Sequence, residues 1–398
     1  MSYRVAILGG GIVGLATARA LVRAGVRDLI VLEKEAGIAM HQSTHNSGVL
    51  HAGLHYAPGS VKARLARTGI RAMTAYCVEH GITHEICGKL VVATSDDELP
   101  RLRALQDRGE RNGLTGLRWL APERARELEP HAYCIGALHV PEEGIVDYAG
   151  VCRSLAREVV EGEAVIRLDA RVHGLRRNQN LWVVNTGAGD FEARLIINCA
   201  GLHVDRLSRL AGEKPASRIV PFRGEYFKLR PDRKHLVRNL IYPVPDPVFP
   251  FLGVHFTRLA LGGIEAGPNA VLAFAREGYR KSDVALRDLM ESLSFSGLWR
   301  FLAKHPRTVV LELARSFSKV LFLKALQRLL PELREEDLSA GGAGVRAQAM
   351  LPNGNLVHDF LWLEREGVIH VLSAPSPAAT AALVIGEEIA TRALRQLG

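Results

Sequence analysis

Three glycines near the start of the chain, Gly9, Gly11 and Gly14, fall in the spacing G-x-G-x-x-G. An acid, Glu33, follows about twenty residues later. This combination suits the capture of a dinucleotide, and with it redox chemistry. Gly9 permits a tight turn, Gly11 lets a pyrophosphate approach the backbone, and Gly14 lets a helix lie against a strand. The amides at the helix start, from Ile12 on, face the phosphates, where the helix dipole favours negative charge. Glu33, with Lys34 beside it, stands where a carboxylate binds a ribose hydroxyl pair.

Four histidines then crowd one stretch: His41, His45, His51 and His55. They include two pairs four residues apart, a spacing that ligates zinc on a helix. Asn46-Ser47-Gly48 breaks any helix between them, and no Cys or acid joins them in the sequence. No metal site is therefore expected.

The elements that must position these residues follow from periodicity. Residues 5–8 read as a buried parallel strand, residues 12–25 as a helix, and residues 29–32 as a second strand. Residues 40–56 are too polar and glycine-broken for the second crossover helix of an NAD domain. They suit a loop running beside a pyrophosphate and a flavin ring, which favours FAD. An amphipathic helix over 61–80, a strand over 89–94, a charged helix over 96–112 and a helix over 147–161 follow. Short strands are expected at 164–168, 171–176 and 181–185, then a buried strand at 193–199 ending in Ala200-Gly201. Beyond residue 210 the pattern turns to strands at 225–229, 239–244, 252–256 and 259–265, and is mostly helical over 278–335. Residues 341–348 read as a glycine-rich loop returning to the cofactor domain. A strand at 368–372, a proline-bearing turn at 373–380 and a closing helix end the chain.

Several segments resemble the L-2-hydroxyglutarate dehydrogenase (or oxidase) family of D-amino-acid-oxidase-like FAD oxidoreductases. They are the glycine turn, the loop 41–56, Pro221-Phe222-Arg223-Gly224-Glu225-Tyr226-Phe227, Gly267-Pro268-Asn269-Ala270, Gly344-Val345-Arg346-Ala347-Gln348, and Ala374-Pro375-Ser376-Pro377-Ala378-Ala379-Thr380. The glycine motif is generic to flavoproteins; the other five are narrower. Two residues depart from the family pattern: His55 where an aromatic is usual, and His358 where an acid is usual.

The resemblance implies an α/β fold. A discontinuous Rossmann-like FAD-binding domain (residues 1–88, 144–220 and 340–398) would join an α+β substrate domain on a mixed or antiparallel sheet (89–143 and 221–339). It also implies FAD contacts from Gln42, Thr44, Asn46 and Ser47, from Val172 near the adenine, from Ala200 and Gly201, and from Ser376, Pro377, Ala378 and Ala379. The expected reaction is oxidation of L-2-hydroxyglutarate to 2-oxoglutarate, with hydride transfer from C2 to flavin N5 and electrons passed to a quinone or oxygen. A dicarboxylate calls for arginines, whose planar fork binds a carboxylate bidentately. Arg346, Arg223 and Arg258 are the candidates; for the last two a structural ion pair is the competing reading. A histidine suits the base that takes the alcohol proton. His51 and His255 compete for that role, with the other binding substrate beside Tyr56, Tyr242 and His55.

Composition sets the remaining bounds. The length of 398 residues suits two intimate domains. A net charge of +9 suits an anionic substrate, an acidic membrane surface or nucleic acid. Five scattered cysteines without a C-x-x-C fit reduced thiols in a cytosol. The start runs directly into the first strand, so no signal peptide is expected, nor is a membrane span. From Leu298 to Arg328 seven Lys or Arg face one acid, Glu312, with apolar residues between. This lies in a basic amphipathic region, 284–335, of a kind that can rest on anionic lipid. The expected location is cytoplasmic, with peripheral placement on the inner face of the cell membrane as the option these helices open. Competing activities are a related FAD oxidoreductase acting on glycerol-3-phosphate or an amino acid, and an FAD-dependent RNA-modifying factor. The dispersed arginines and the absence of an aromatic-basic motif argue against RNA, and no nucleic-acid partner is expected.

Overall fold

The computed structural model describes residues 2–246 and 251–398. Its first sheet grows from the strand Ser2–Leu8, in which Val5 to Leu8 are at most 1% exposed. Such a strand is covered on both faces, as a parallel α/β sheet requires. It pairs in parallel with Leu29–Leu32 on one side and with Gly189–Asn198 on the other. Val165–Arg167 extends the parallel run beyond Leu29–Leu32, and Val368–Ser373 adds to the end of Gly189–Asn198. An antiparallel meander, Val172–Asn178 and Leu181–Thr186, completes one edge. The helices Ile12–Arg23 and Ala382–Leu397 pack closely, because Gly386 brings its backbone against Ala16.

The second sheet has nine strands and mixed direction. Its spine is the long antiparallel pair Arg218–Leu229 with Leu338–Met350. Leu240–Pro243 runs parallel to Lys89–Ala93 and joins that part to Gly136–Val140 and Arg118–Leu120. A small third sheet of Val49–Leu50, Gly144–Val146 and His84–Glu85 ties the histidine-rich loop to the turn before residue 144.

Four expectations are corrected. Residues 341–348 are not a loop of the cofactor domain but the middle of the strand Leu338–Met350. Their small side chains reflect crowding: a Cβ at Gly341 would meet the Tyr226 carbonyl oxygen at 2.5 Å. The strand expected at 225–229 begins at Arg218, so the expected boundaries at 220 and 340 each cut a strand of the second sheet. The strand expected over 259–265 starts only at Ile264, because Gly262 and Gly263, both at positive φ, close a turn from Leu259. The strand expected at 252–256 is found at His255–Arg258.

The region 284–335 folds as four short helices, Leu286–Leu293, Ser296–Lys304, Pro306–Phe317 and Lys319–Gln327. No helix among the described residues is long and apolar enough to cross a membrane.

Candidate active site and cofactor cavity

A cavity of about 1410 Å³ is lined from both large sheets. One part of its wall is the glycine turn. Gly9 sits at φ +112°, and a Cβ there would lie 2.7 Å from the Cys199 carbonyl oxygen. A Cβ at Gly14 would collide with the Gly9 carbonyl oxygen, so this glycine serves packing and does not line the cavity. Glu33 is 8% exposed, and its carboxylate accepts from the amides of Gly10 (2.7 Å) and Glu35 (3.0 Å). Ser43, which sequence reasoning passed over, accepts from the Ile12 amide at 2.9 Å and so caps the helix start. Asn46 shapes the following loop: its side chain donates to the carbonyls of Gln42 and Ser43 and accepts from the Gly48 amide.

Gly11, Ile12, Lys34, Gln42, Ser47, Val172, Ala200, Gly201 and Ser376 to Ala379 also line the cavity. Thr44 does not. The turn closed on the His41 carbonyl carries it outward, and its hydroxyl donates to Ala39 instead (2.8 Å). The acids missing from the sequence around the histidines arrive through the fold. His41 lies 3.0 Å from Glu35 and 3.2 Å from Glu277. The cation among these groups is Lys34, whose Nζ is 2.7 Å from Glu277 and 2.9 Å from His41. Burial works to raise the Glu277 carboxyl, but hydrogen bonds from His203 and Lys34 hold it well below the usual range.

The cradle, the acid and the cavity together fit a dinucleotide as large as FAD. Gly14→Ala is expected to cost about 1–3 kcal/mol through overpacking. It should also leave the purified protein with little bound flavin, read as visible absorbance per chain and as a lowered melting temperature.

The chemistry-bearing side chains gather in another part of the wall. His51, His55, Tyr56, Tyr242, His255 and Arg346 all line it. The His51 amide donates to the Thr380 hydroxyl (3.2 Å), which is itself tied to the Tyr148 hydroxyl (2.9 Å). The His51 ring places Nδ1 3.5 Å from Oε2 of Glu143. Glu143 is buried, and its other oxygen accepts from the Ala52 amide at 3.2 Å. Lys89, 0% exposed, brings its Nζ to 2.5 Å from the same Glu143 Oε2. Burial alone would raise the Glu143 carboxyl; the Lys89 ammonium and His51 overcome it and hold the group ionised.

His255 donates from Nδ1 to the Gly253 carbonyl (2.8 Å), which leaves Nε2 with its lone pair, and its ring stacks on Tyr242 at 3.9 Å. Burial pulls His255 down to about 3, so the ring is neutral at physiological pH. The same cause keeps His55 neutral, with Nε2 3.4 Å from Lys89. Burial raises the phenols of Tyr56 and Tyr242, so both remain donors.

Of the three arginines, only Arg346 lines the cavity. It donates to the Asn269 carbonyl at 3.2 Å and lies 5.4 Å from the centre of the Phe251 ring. Among the described residues no carboxylate pairs with it. Arg223 and Arg258 are corrected to structural ion pairs, and strand alternation is the reason. Gly224 and Tyr226 line the cavity, whereas Arg223 and Glu225 share the other face, where the guanidinium meets Glu225 at 3.0 Å. Likewise His255 lines the cavity, while Arg258, on the opposite parity, pairs with Glu85. Sequence reasoning missed Lys89 and Glu143. The one local signal was a lysine opening an otherwise apolar strand.

A Rossmann-like sheet with a glycine cradle, joined to a mixed sheet that closes a buried polar cavity, defines a flavin-dependent oxidoreductase. The FAD dependent oxidoreductase family model matches residues 4–392, and the chain belongs to that family. It is 45% identical to the L-2-hydroxyglutarate dehydrogenase of Indibacter alkaliphilus over 398 residues, covering 100% of both chains. It is 45% identical to that of Escherichia coli K12 (98% of this chain, 93% of the relative). Identity to the human mitochondrial enzyme of the same name is 42% (98% and 88%). Among solved structures, the fold is similar to the FAD-bound L-alpha-glycerophosphate oxidase of Mycoplasma pneumoniae, with a TM-score of 0.80 and 21% identity over 99% of this chain and 95% of that one. Glycine oxidase from Geobacillus kaustophilus is similar too, with a TM-score of 0.76 and 19% identity over the same shares. At these identities the structures speak for the fold alone.

Proposed function

We propose that the chain oxidises L-2-hydroxyglutarate to 2-oxoglutarate. The observation that carries the reading is Arg346, a cavity guanidinium with no carboxylate partner among the described residues, in the same cavity as a histidine backed by a buried carboxylate. The name shared by relatives at 42–45% identity agrees with it. Arg346 takes one substrate carboxylate bidentately. His51 accepts the 2-hydroxyl proton at Nε2, because Nδ1 faces Glu143, whose charge stabilises the imidazolium that forms. His255 offers a neutral Nε2 as acceptor, and Tyr56 and Tyr242 offer hydroxyls. When bound, FAD supplies the two-electron acceptor for the C2 hydride. We assign its ribose to Glu33 and its pyrophosphate to the Gly11–Ile12 amides. The loop 42–47 and Ser376 to Ala379 lie toward the ring, and Val172 toward the adenine.

Anaerobic addition of L-2-hydroxyglutarate is expected to bleach the flavin band quickly, with no bleaching by the D-enantiomer. Bleaching by glycerol-3-phosphate or an amino acid instead would move the assignment to that substrate.

We assign the exposed apolar face of the helical region to an anionic membrane. Leu286, Met290, Val310 and Phe317 are 61–79% exposed there, with Arg307 on the helix of Val310 and Phe317, and Lys319 and Lys324 on the next helix. This face suits delivery of electrons to a membrane quinone; oxygen is the competing acceptor. The protein is expected to co-sediment with anionic vesicles at low salt and to be released as salt rises. Equal recovery with neutral vesicles would sink the assignment.

A further inference from the structure

We propose that the buried Lys89–Glu143 pair sets the base strength of His51, the carboxylate raising it and the ammonium lowering it. Both are positioning residues, and the inference rests on reading His51 as the base. Glu143 grips the histidine segment twice: Oε2 lies 3.5 Å from the ring Nδ1, and Oε1 accepts from the next residue's amide at 3.2 Å. Lys89 reaches the same Oε2 from the strand Lys89–Ala93. One carboxylate oxygen is thus shared between an ammonium and an imidazole.

Stability alone does not account for this arrangement. A buried ion pair is often no better than apolar residues of equal volume. The pair instead favours one tautomer of His51, because an ionised Glu143 3.5 Å from Nδ1 favours a proton there and leaves Nε2 with its lone pair. Of the other titratable groups in this part of the wall, Arg346 is charged and the two histidines are not. His55, on the same loop, and His255, on the strand His255–Arg258, are held neutral by burial. The Tyr148 phenol and the Thr380 hydroxyl serve the His51 backbone. Lys89 and Glu143 thus place two opposite charges that meet at one atom beside the ring.

The test is a histidine-ring NMR titration of the flavin-loaded protein. His51 is identified by the signal lost in His51→Asn, and the acidic limb of the anaerobic bleaching rate is followed in parallel. Glu143→Gln is expected to move the His51 midpoint and the limb down by roughly 1–3 pH units, since the ammonium is left unopposed. Lys89→Met is expected to move both up by about one unit. The double variant should return toward the parent, as coupled charges require. A role in folding alone would not produce shifts of opposite sign. Midpoints that stay put, or that move the same way in both variants, overturn the inference. Should Lys89→Met fail to fold, Glu143→Gln decides: a downward shift supports the inference and an unmoved midpoint ends it. The base reading fails separately, if His51→Asn bleaches at the parent rate.

Discussion

His51→Asn is expected to slow anaerobic flavin reduction by about 10²–10⁴-fold, the usual contribution of a positioned general base. That corresponds to roughly 3–5 kcal/mol of barrier. Asparagine keeps much of the volume and a polar edge toward Glu143, so the cavity should hold and the flavin should stay bound. What is lost is the nitrogen lone pair that receives the alcohol proton while hydride leaves C2. The residue that could compensate is His255, which shares the cavity and keeps Nε2 free. Its weakness as a base follows from burial, which pulls it down to about 3, and its Nδ1 meets the Gly253 carbonyl where that of His51 faces the Glu143 carboxylate. Stopped-flow bleaching with L-2-hydroxyglutarate, at equal flavin content, measures the effect. A rate within a few-fold of the parent would transfer the base role to His255.

Arg346→Met should weaken substrate binding by about 2–5 kcal/mol, the range for truncating one partner of a buried charge-assisted pair. This removes the guanidinium fork while keeping an apolar stem. Part of that loss reflects a substrate carboxylate left desolvated without a partner. The effect belongs mainly to the dissociation constant, read from the concentration dependence of bleaching, because Arg346 binds a group that does not change charge in the reaction. Arg346→Lys should recover only part of the affinity, since an ammonium cannot offer two parallel donors. Arg223→Met is the informative contrast. Its guanidinium pairs with Glu225 on the far face of the strand, so it should destabilise the fold with little effect on affinity at equal flavin content. Equal loss of affinity in the two variants would refute the assignment of the carboxylate site.

Much of the cofactor site was legible without a structure, because its determinants are local. A glycine with no Cβ can take φ +112° and admit the Cys199 carbonyl at its side, and that freedom is written in the residue type itself. The apolar run before it and the acid at the next strand end follow from short-range periodicity. So do most helices, whose amphipathic spacing survives whatever they pack against. The strand Leu338–Met350 was misread as a loop because its glycines and alanines suit a turn locally. Only the crowding by Tyr226 and the pairing with Arg218–Leu229 give small residues a reason to be there.

What only the tertiary structure decided is which charges meet. The parity of two strands sends Arg223 and Arg258 to acids and leaves Arg346 on the cavity, a matter of register that composition cannot report. Glu277 reaches His41 across more than two hundred residues, Glu143 reaches His51, and Lys89 reaches Glu143 from a separate strand. None of these pairs has a periodic signature. Each exists because burial leaves a charge no partner but the one the fold brings to it. The residue types alone therefore determined that this chain binds a dinucleotide and works as an FAD oxidoreductase, through backbone freedom and local pattern. The choice of base, of carboxylate anchor and of the groups that tune them was made by long-range packing.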